Sequence, residues 1–254
     1  MMPLLYGCLD ANTVIHVNKD GSGTVTETIK VKESLMPWAG TNQVAFTLAG
    51  NKSRLANRAL AMGRNVNLTS VQDLQEQGVI GYIAVYAFKD IRTLNIDLQP
   101  DATMLGQLAP GQTDKRRIVT FALNTDNSSL VINIPRRGMN ETSMSRPAFQ
   151  PLPKNLVSEQ RAVVRTMFEK FRIQLRVTVQ GTIGRTNATS VEPGNRNTVV
   201  LLDLNIDKLL EDDRQLDKLL TMGQIDDIDT ARIKLAGLPG IKIEPSDHVT
   251  IEFK

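Results

Sequence analysis

The chain is short of the residues from which many catalytic and metal sites are built. It has one cysteine, two histidines and one tryptophan in 254 residues. One cysteine excludes a disulfide framework within the chain and a multi-thiolate metal cluster. Neither His16 nor His248 has a cysteine or acidic ligand at metal spacing around it, so surface or structural histidines are expected. No metal and no cofactor is expected. No run of about 18 apolar residues exists, so no stretch reads as a membrane-spanning helix. Charge of neither sign dominates, since 30 Lys and Arg against 27 Asp and Glu leave a net +3. With no dense basic block interleaved with aromatics, nucleic acid is not an expected partner.

Catalytic settings are equally scarce. No serine stands in a Gly-x-Ser-x-Gly elbow, and Ser22 falls in DGSGT, a turn. Gly181 and Gly184 are too close together for a dinucleotide loop, and no helix pattern follows them. Two acidic groups, Glu211, Asp212 and Asp213, then Asp226, Asp227 and Asp229, lie on polar helical stretches and read as solvated faces. Lys115, Arg116 and Arg117, with Arg136 and Arg137, form the most basic neighbourhood and read as solvated loop ends. A non-enzymatic protein is expected. An envelope hydrolase with scattered site residues is the alternative.

What is present begins with the cysteine. Cys8 follows Leu5, Tyr6 and Gly7, which resembles the lipobox of bacterial lipoproteins: Leu, two mostly small residues, then the acylated cysteine. Tyr6 is larger than usual there. MMPLLYG is short for a signal segment, for which a start further upstream is one explanation, and an N-terminal stub with a chance cysteine is the other reading. The lack of any other thiol suits an oxidising compartment. The expectation is a protein lipid-anchored through Cys8 on the extracytoplasmic side of a bacterial membrane. A cytoplasmic protein is the alternative.

Residues 18–29, NKDGSGTVTETI, resemble a calcium loop at first sight. The last position, which must supply a bidentate Glu, is Ile29, and Asp20 is the only carboxylate in a ligand slot. The flanks alternate rather than turn helically. Val25, Ile29 and Val31 point one way while Thr24, Thr26, Thr28, Lys30 and Lys32 point the other, as in a half-buried strand. Asp-Gly and Ser-Gly supply hairpin turn chemistry. A β-hairpin is therefore expected, with Glu27 on the apolar side, either paired with a buried cation or at an open rim; the rim is preferred.

Further hairpins are expected around Gly78 and across TDNSS, and a clean strand in FRIQLRVTVQG continues as a meander through NTVVLLDLNI. NKSRLANRALAMG, LVSEQRAVVRTMFEKF, IDKLLEDDRQLDKLLTMG and QIDDIDTARIKLAG read as helical. The fold class is α+β: antiparallel hairpins and a meander with packed helices, in one lobe or two. The expected divisions are 1–9 as the lipobox-like N-terminus, 10–135 as one lobe, 136–155 as a linker or long loop, and 156–254 as a second lobe or the rest of a shared sheet. In GYIAVYAFKDI, Tyr82, Ala84, Tyr86 and Phe88 share one face and Ile83, Val85 and Ala87 the other, so a central strand covered on both sides is expected.

DGSGTVTETI after a lipobox-like cysteine, GYIAVYAFKDI, and FRIQLRVTVQGTIGRTNATSVEPGNRNTVVLLDLN together resemble the LppM-type family of bacterial lipoproteins. There a strand leads to a Gly, a Thr-Asn pair, a loop and a second apolar strand, which here are Gly181, Thr186, Asn187 and the run from Val199. The likeness covers about half of the chain in pieces, and the helical stretch after Asp207 departs from it. It implies an envelope-anchored α+β domain with a link to lipid or glycolipid recognition, and it assigns no catalytic residue. Tyr82, Tyr86 and Phe88 are the candidate wall of an apolar groove for a lipid-like ligand or a partner protein; plain core is the alternative, preferred for each residue taken singly.

Overall fold

A computed structural model describes residues 9–33, 48–97, 118–135, 165, 169–215, 218 and 228–254. Cys8, the 136–155 stretch, most of the helix expected at 156–171, and the basic neighbourhood at 115–117 and 136–137 lie outside the described residues.

The first hairpin forms as its alternation requires. Strands β1 (Leu9–Val17) and β2 (Gly23–Lys32) pair antiparallel from Leu9 opposite Val31 to Val17 opposite Gly23. The turn between them closes on itself. The Asn18 amide donates to the Ser22 carbonyl at 2.8 Å, and the Ser22 amide and hydroxyl both donate to Asp20 Oδ1 at 2.9 and 2.7 Å. Those bonds hold the Asp20 carboxyl below its ordinary range. The acid that resembled a metal ligand is thus used inside the turn.

Helix α1 (Leu48–Met62) follows, starting earlier than Asn51 or Ser53 and ending where Gly63 stops it. Strands β3 (Asn67–Glu76) and β4 (Val79–Phe88) make the second hairpin around Gly78, whose φ of 73° is the left-handed value such a turn needs. After a short turn at Ile91–Thr93 come β5 (Asn95–Asp97), β6 (Ile118–Asn124) and β7 (Ser129–Asn133). The second half contributes β8 (Arg172–Val179), β9 (Ile183–Thr186), β10 (Thr198–Asn205), helices α2 (Ile206–Leu210) and α3 (Ile228–Leu235), then β11 (Ile241–Ile243) and β12 (His248–Phe253).

The strands form two sheets. The larger runs β11-β10-β8-β1-β2-β4-β3 and the smaller β5-β6-β7-β12-β9. Chain on both sides of residues 136–155 contributes to each sheet. In the large sheet β8 lies parallel to β1, from Asp10 beside Arg172 to Val17 beside Val179. In the small sheet β12 lies between β7 and β9. One buried apolar cluster joins them, with Ile15, Val17, Val25, Tyr86, Val177 and Val179 from the first sheet and Val119, Leu130, Ile132, Val249 and Ile251 from the second. A smaller cluster packs α2 and α3 together through Leu209, Leu210, Leu235 and Leu238, and touches Phe171, Leu204 and Ile243.

The molecule is mostly β, with two antiparallel or mixed sheets and sparse helices. Two sequence expectations change. The meander is interrupted, because β9 leaves β8 and joins the small sheet beside β12. β4 is the penultimate strand rather than a central one. Its Tyr82 face is sealed while Ile83, Val85 and Ala87 on the other face are half-buried. The stretch from Ile206, expected as helices or helical turns, is helical at Ile206–Leu210 and again at 213–215 among the described residues.

Close strand approach fixes one glycine. A Cβ on Gly81 would sit 1.9 Å from the Ile29 carbonyl oxygen across the β2–β4 pair. Gly81→Ala is expected to lower stability by roughly 2 kcal/mol through this clash. Urea unfolding measures it, with the midpoint falling and the slope unchanged.

Candidate functional site

On the inner face of the large sheet, one row of side chains crosses four strands: Thr13 on β1, Glu27 on β2, Ala84 on β4 and Val71 on β3. The alternation of β2 turns Glu27 inward with Val25 and Ile29, and its residue is only 2% exposed. A lone carboxylate there would be too costly to keep ionised. The helix supplies its counter-charge. Arg58 Nε donates to Glu27 Oε1 and Oε2 at 2.9 and 2.7 Å, and Arg58 Nη2 donates to Oε1 as well. The geometry is that of a guanidinium clasping a carboxylate with more than one hydrogen bond, the strongest form of the interaction. The rim reading of Glu27 is therefore corrected: the carboxylate is buried and paired with a cation, Arg58, that is itself half-buried.

Arg58 reaches this point because of its place on α1. Leu55, Ala59 and Met62 form the buried stripe of that helix, and Arg54 and Arg58, one turn apart, flank it. Arg54 stands over the ring of Tyr82, 5.8 Å from its centre, within range of a cation–π attraction. On the outer side of α1, Leu60 is 75% exposed.

Tyr82 and Tyr86 flank Ala84 on the same face and are fully buried. The small alanine between them leaves room for the Glu27 carboxylate opposite. The Tyr86 hydroxyl makes no hydrogen bond of good geometry, although it is close enough to feel the charge of Glu27. Burial, and then that charge, push its ionisation far above the ordinary tyrosine value. Phe88 completes the face by packing over Gly23, where a Cβ would come within 2.6 Å of its ring. Tyr82, Tyr86 and Phe88 thus do share one wall, and α1 with the rest of the core closes that wall from solvent. Thr13, beside Glu27, is half-buried although Ala11 and Ile15 on either side of it are buried.

Other polar groups in the interior close loops. Glu244 accepts from the Thr189 amide and hydroxyl and from the Ser246 amide, at 2.8 to 3.0 Å. Arg172 holds Asp203 with two bonds of 3.0 and 2.9 Å across β8 and β10. The histidines stand in different sheets, His16 on β1 and His248 on β12, where His248 Nδ1 meets Asn133 Oδ1 at 2.9 Å. Among the described residues no three His, Cys, Asp or Glu side chains are grouped to hold a metal ion. Glu211, Asp212 and Asp213 are exposed.

No family model matches the chain. No curated protein matches it. Among solved structures it is similar to the NMR structure of the folded domain of LppM from Mycobacterium tuberculosis, at 12% identity, over 97% of this chain and 90% of that one, with a TM-score of 0.34. The neighbour bears the family name that the sequence motifs resembled, and a superposition this loose carries no argument about fold, ligand or role.

Removing one partner of the buried pair strands the other. Glu27→Gln or Arg58→Ala is each expected to cost roughly 3 kcal/mol, while Glu27→Leu with Arg58→Met recovers most of it. Denaturant unfolding of the parent and the three variants measures each cost and the recovery. Tyr86 adds a pH dependence at the alkaline end. Its ionisation is raised in the folded state, so its contribution is complete below roughly pH 10, where unfolded tyrosines ionise, and is lost as pH rises beyond that. Tyr86→Phe is expected to flatten the alkaline fall in melting temperature.

Proposed function

We propose that the protein is a non-enzymatic binding module held on the extracytoplasmic side of a bacterial membrane by lipid on Cys8. Its binding face is the wall formed by Tyr82, Tyr86 and Phe88 beneath α1. The ligand is lipid-like, an apolar body with a polar head, or an apolar element of a partner protein.

One observation carries the binding part: a charged pair and an unpaired tyrosine hydroxyl are set into the inner, aromatic face of an otherwise apolar sheet. A core needs neither group for stability, because apolar residues of similar volume serve as well or better. Apolar walls with a few converging polar groups are the usual make-up of small-molecule sites. The tether rests on the Leu5, Gly7 and Cys8 pattern and on the absence of a second cysteine. β1 begins at Leu9, so a lipid on Cys8 holds the end of the large sheet against the bilayer surface. No helix among the described residues is long and apolar enough to cross a membrane. No observation favours the hydrolase alternative.

Mass spectrometry of the protein recovered from its native membrane tests the tether. A diacylglyceryl group on Cys8, with release of Cys8→Ser into the soluble fraction, is the expected result. Unmodified Cys8 in soluble protein contradicts it. Titration with a neutral apolar fluorophore such as N-phenyl-1-naphthylamine tests the binding face. Saturable binding at one site is expected, and a purely linear, unsaturable signal contradicts it.

A further inference from the structure

The inner face is already occupied by an element of the same chain. Glu27 is carried by β2, a strand with partners on both sides, so its carboxylate is fixed in place by the sheet. Arg58 comes from α1, whose hold on the sheet runs through Leu55, Ala59 and Met62 along one stripe. The floor therefore contributes the acid and the rings, and the cover contributes the cations. Two guanidinium groups on successive turns of α1 occupy two adjacent seats, one on the Glu27 carboxylate and one over the Tyr82 ring. A planar fork of donors is what a carboxylate accepts in this way, and a flat cation is also what stacks on an aromatic face.

Two further features of the floor are not used up by the helix. The buried Tyr86 hydroxyl near Glu27 makes no hydrogen bond of good geometry. Were Arg58 to leave, that hydroxyl is close enough to interact with the Glu27 charge, which lowers the cost of opening. Thr13, at the other side of Glu27, is half-buried and adds a second hydroxyl next to the carboxylate.

From this arrangement we infer that the Glu27, Tyr82 and Tyr86 floor is a receptor for a ligand with a guanidinium head and an apolar body, and that α1 fills it in cis as an internal competitor through Arg54 and Arg58. This rests on the reading of the inner face as a binding site and names the ligand chemistry of that site. Binding lifts α1, and the apolar body takes the place of Leu55 and Met62 against the sheet. In the resting protein only the fraction with α1 undocked is competent, so the apparent affinity is reduced by that fraction.

The test uses the full chain, with n-decylguanidinium as probe and decanoate, of equal chain length and opposite charge, as control, both below micelle-forming concentration. Calorimetric titration is expected to show decylguanidinium binding Arg54→Gln/Arg58→Gln at least about tenfold more tightly than the parent protein, because the internal competitor is removed. Adding Glu27→Gln to that variant is expected to abolish the gain. Equal affinity for the two proteins, or a gain that survives Glu27→Gln, overturns the inference. Decanoate binding without decylguanidinium binding overturns it while leaving the binding face intact. Binding of neither, together with no saturable fluorophore binding, removes the binding face itself. Should the double variant fail to fold, hydrogen exchange on the parent protein decides. Decylguanidinium is expected to speed exchange in the amides of residues 48–62 and leave those of β1 and β2 unchanged, and unchanged exchange in that helix overturns the inference.

Discussion

A carboxylate on the buried face of a sheet must be neutralised or the sheet cannot close over it, and Glu27 sets that condition here. Its answer, Arg58, fixes which face of α1 meets the sheet and at what height along β2 and β4. Once α1 is held there, Leu55, Ala59 and Met62 fall over the apolar floor, Arg54 falls over Tyr82, and Leu60 is left facing outward. An apolar pair would hold the helix with no direction of its own. A charge pair with several hydrogen bonds tolerates little sliding, so it exchanges net stability for a defined docking position.

The frame around this pair comes from strands far apart in sequence. β1 is bordered by its hairpin partner β2 on one side and by β8 on the other, the latter parallel and supplied by the second half of the chain. β12 likewise closes the small sheet from the far end of the sequence. The single apolar cluster across both sheets follows from these two insertions. β2 lies between β1 and β4, so the sheet holds the inward direction of Glu27 from both sides and its charge cannot be relieved by turning outward.

Hairpins were readable because their cause is local. Alternation in TVTETIKVK and turn chemistry in DGSG specify β1, β2 and their register without reference to the rest of the chain. The sharing of one face by Tyr82, Tyr86 and Phe88 was readable for the same reason. The parallel β1–β8 pairing and the departure of β9 to the small sheet had no local signal, since either strand satisfies its alternation in either sheet. Glu27 shows the limit most clearly. Its inward position was visible in the period of β2, but its partner lies on a helix 31 residues away. Nothing in NKSRLANRALAMG distinguishes Arg58 from Arg54 or Arg64 until the helix is docked. A buried acid demands a cation, but with 30 Lys and Arg in the chain that demand does not name Arg58. Cys8 remains a matter of motif, outside the described residues.

The central claim is that Arg58 and Glu27 form a buried, hydrogen-bonded clasp between α1 and the sheet. Nitrogen-15 NMR of the arginine side chains tests it most directly. The account predicts that the Arg58 Nε–H exchanges with water much more slowly than those of the exposed arginines, and that it loses that protection in Glu27→Gln. An Arg58 Nε–H exchanging as fast as those of the exposed arginines, with no response to Glu27→Gln, would contradict it.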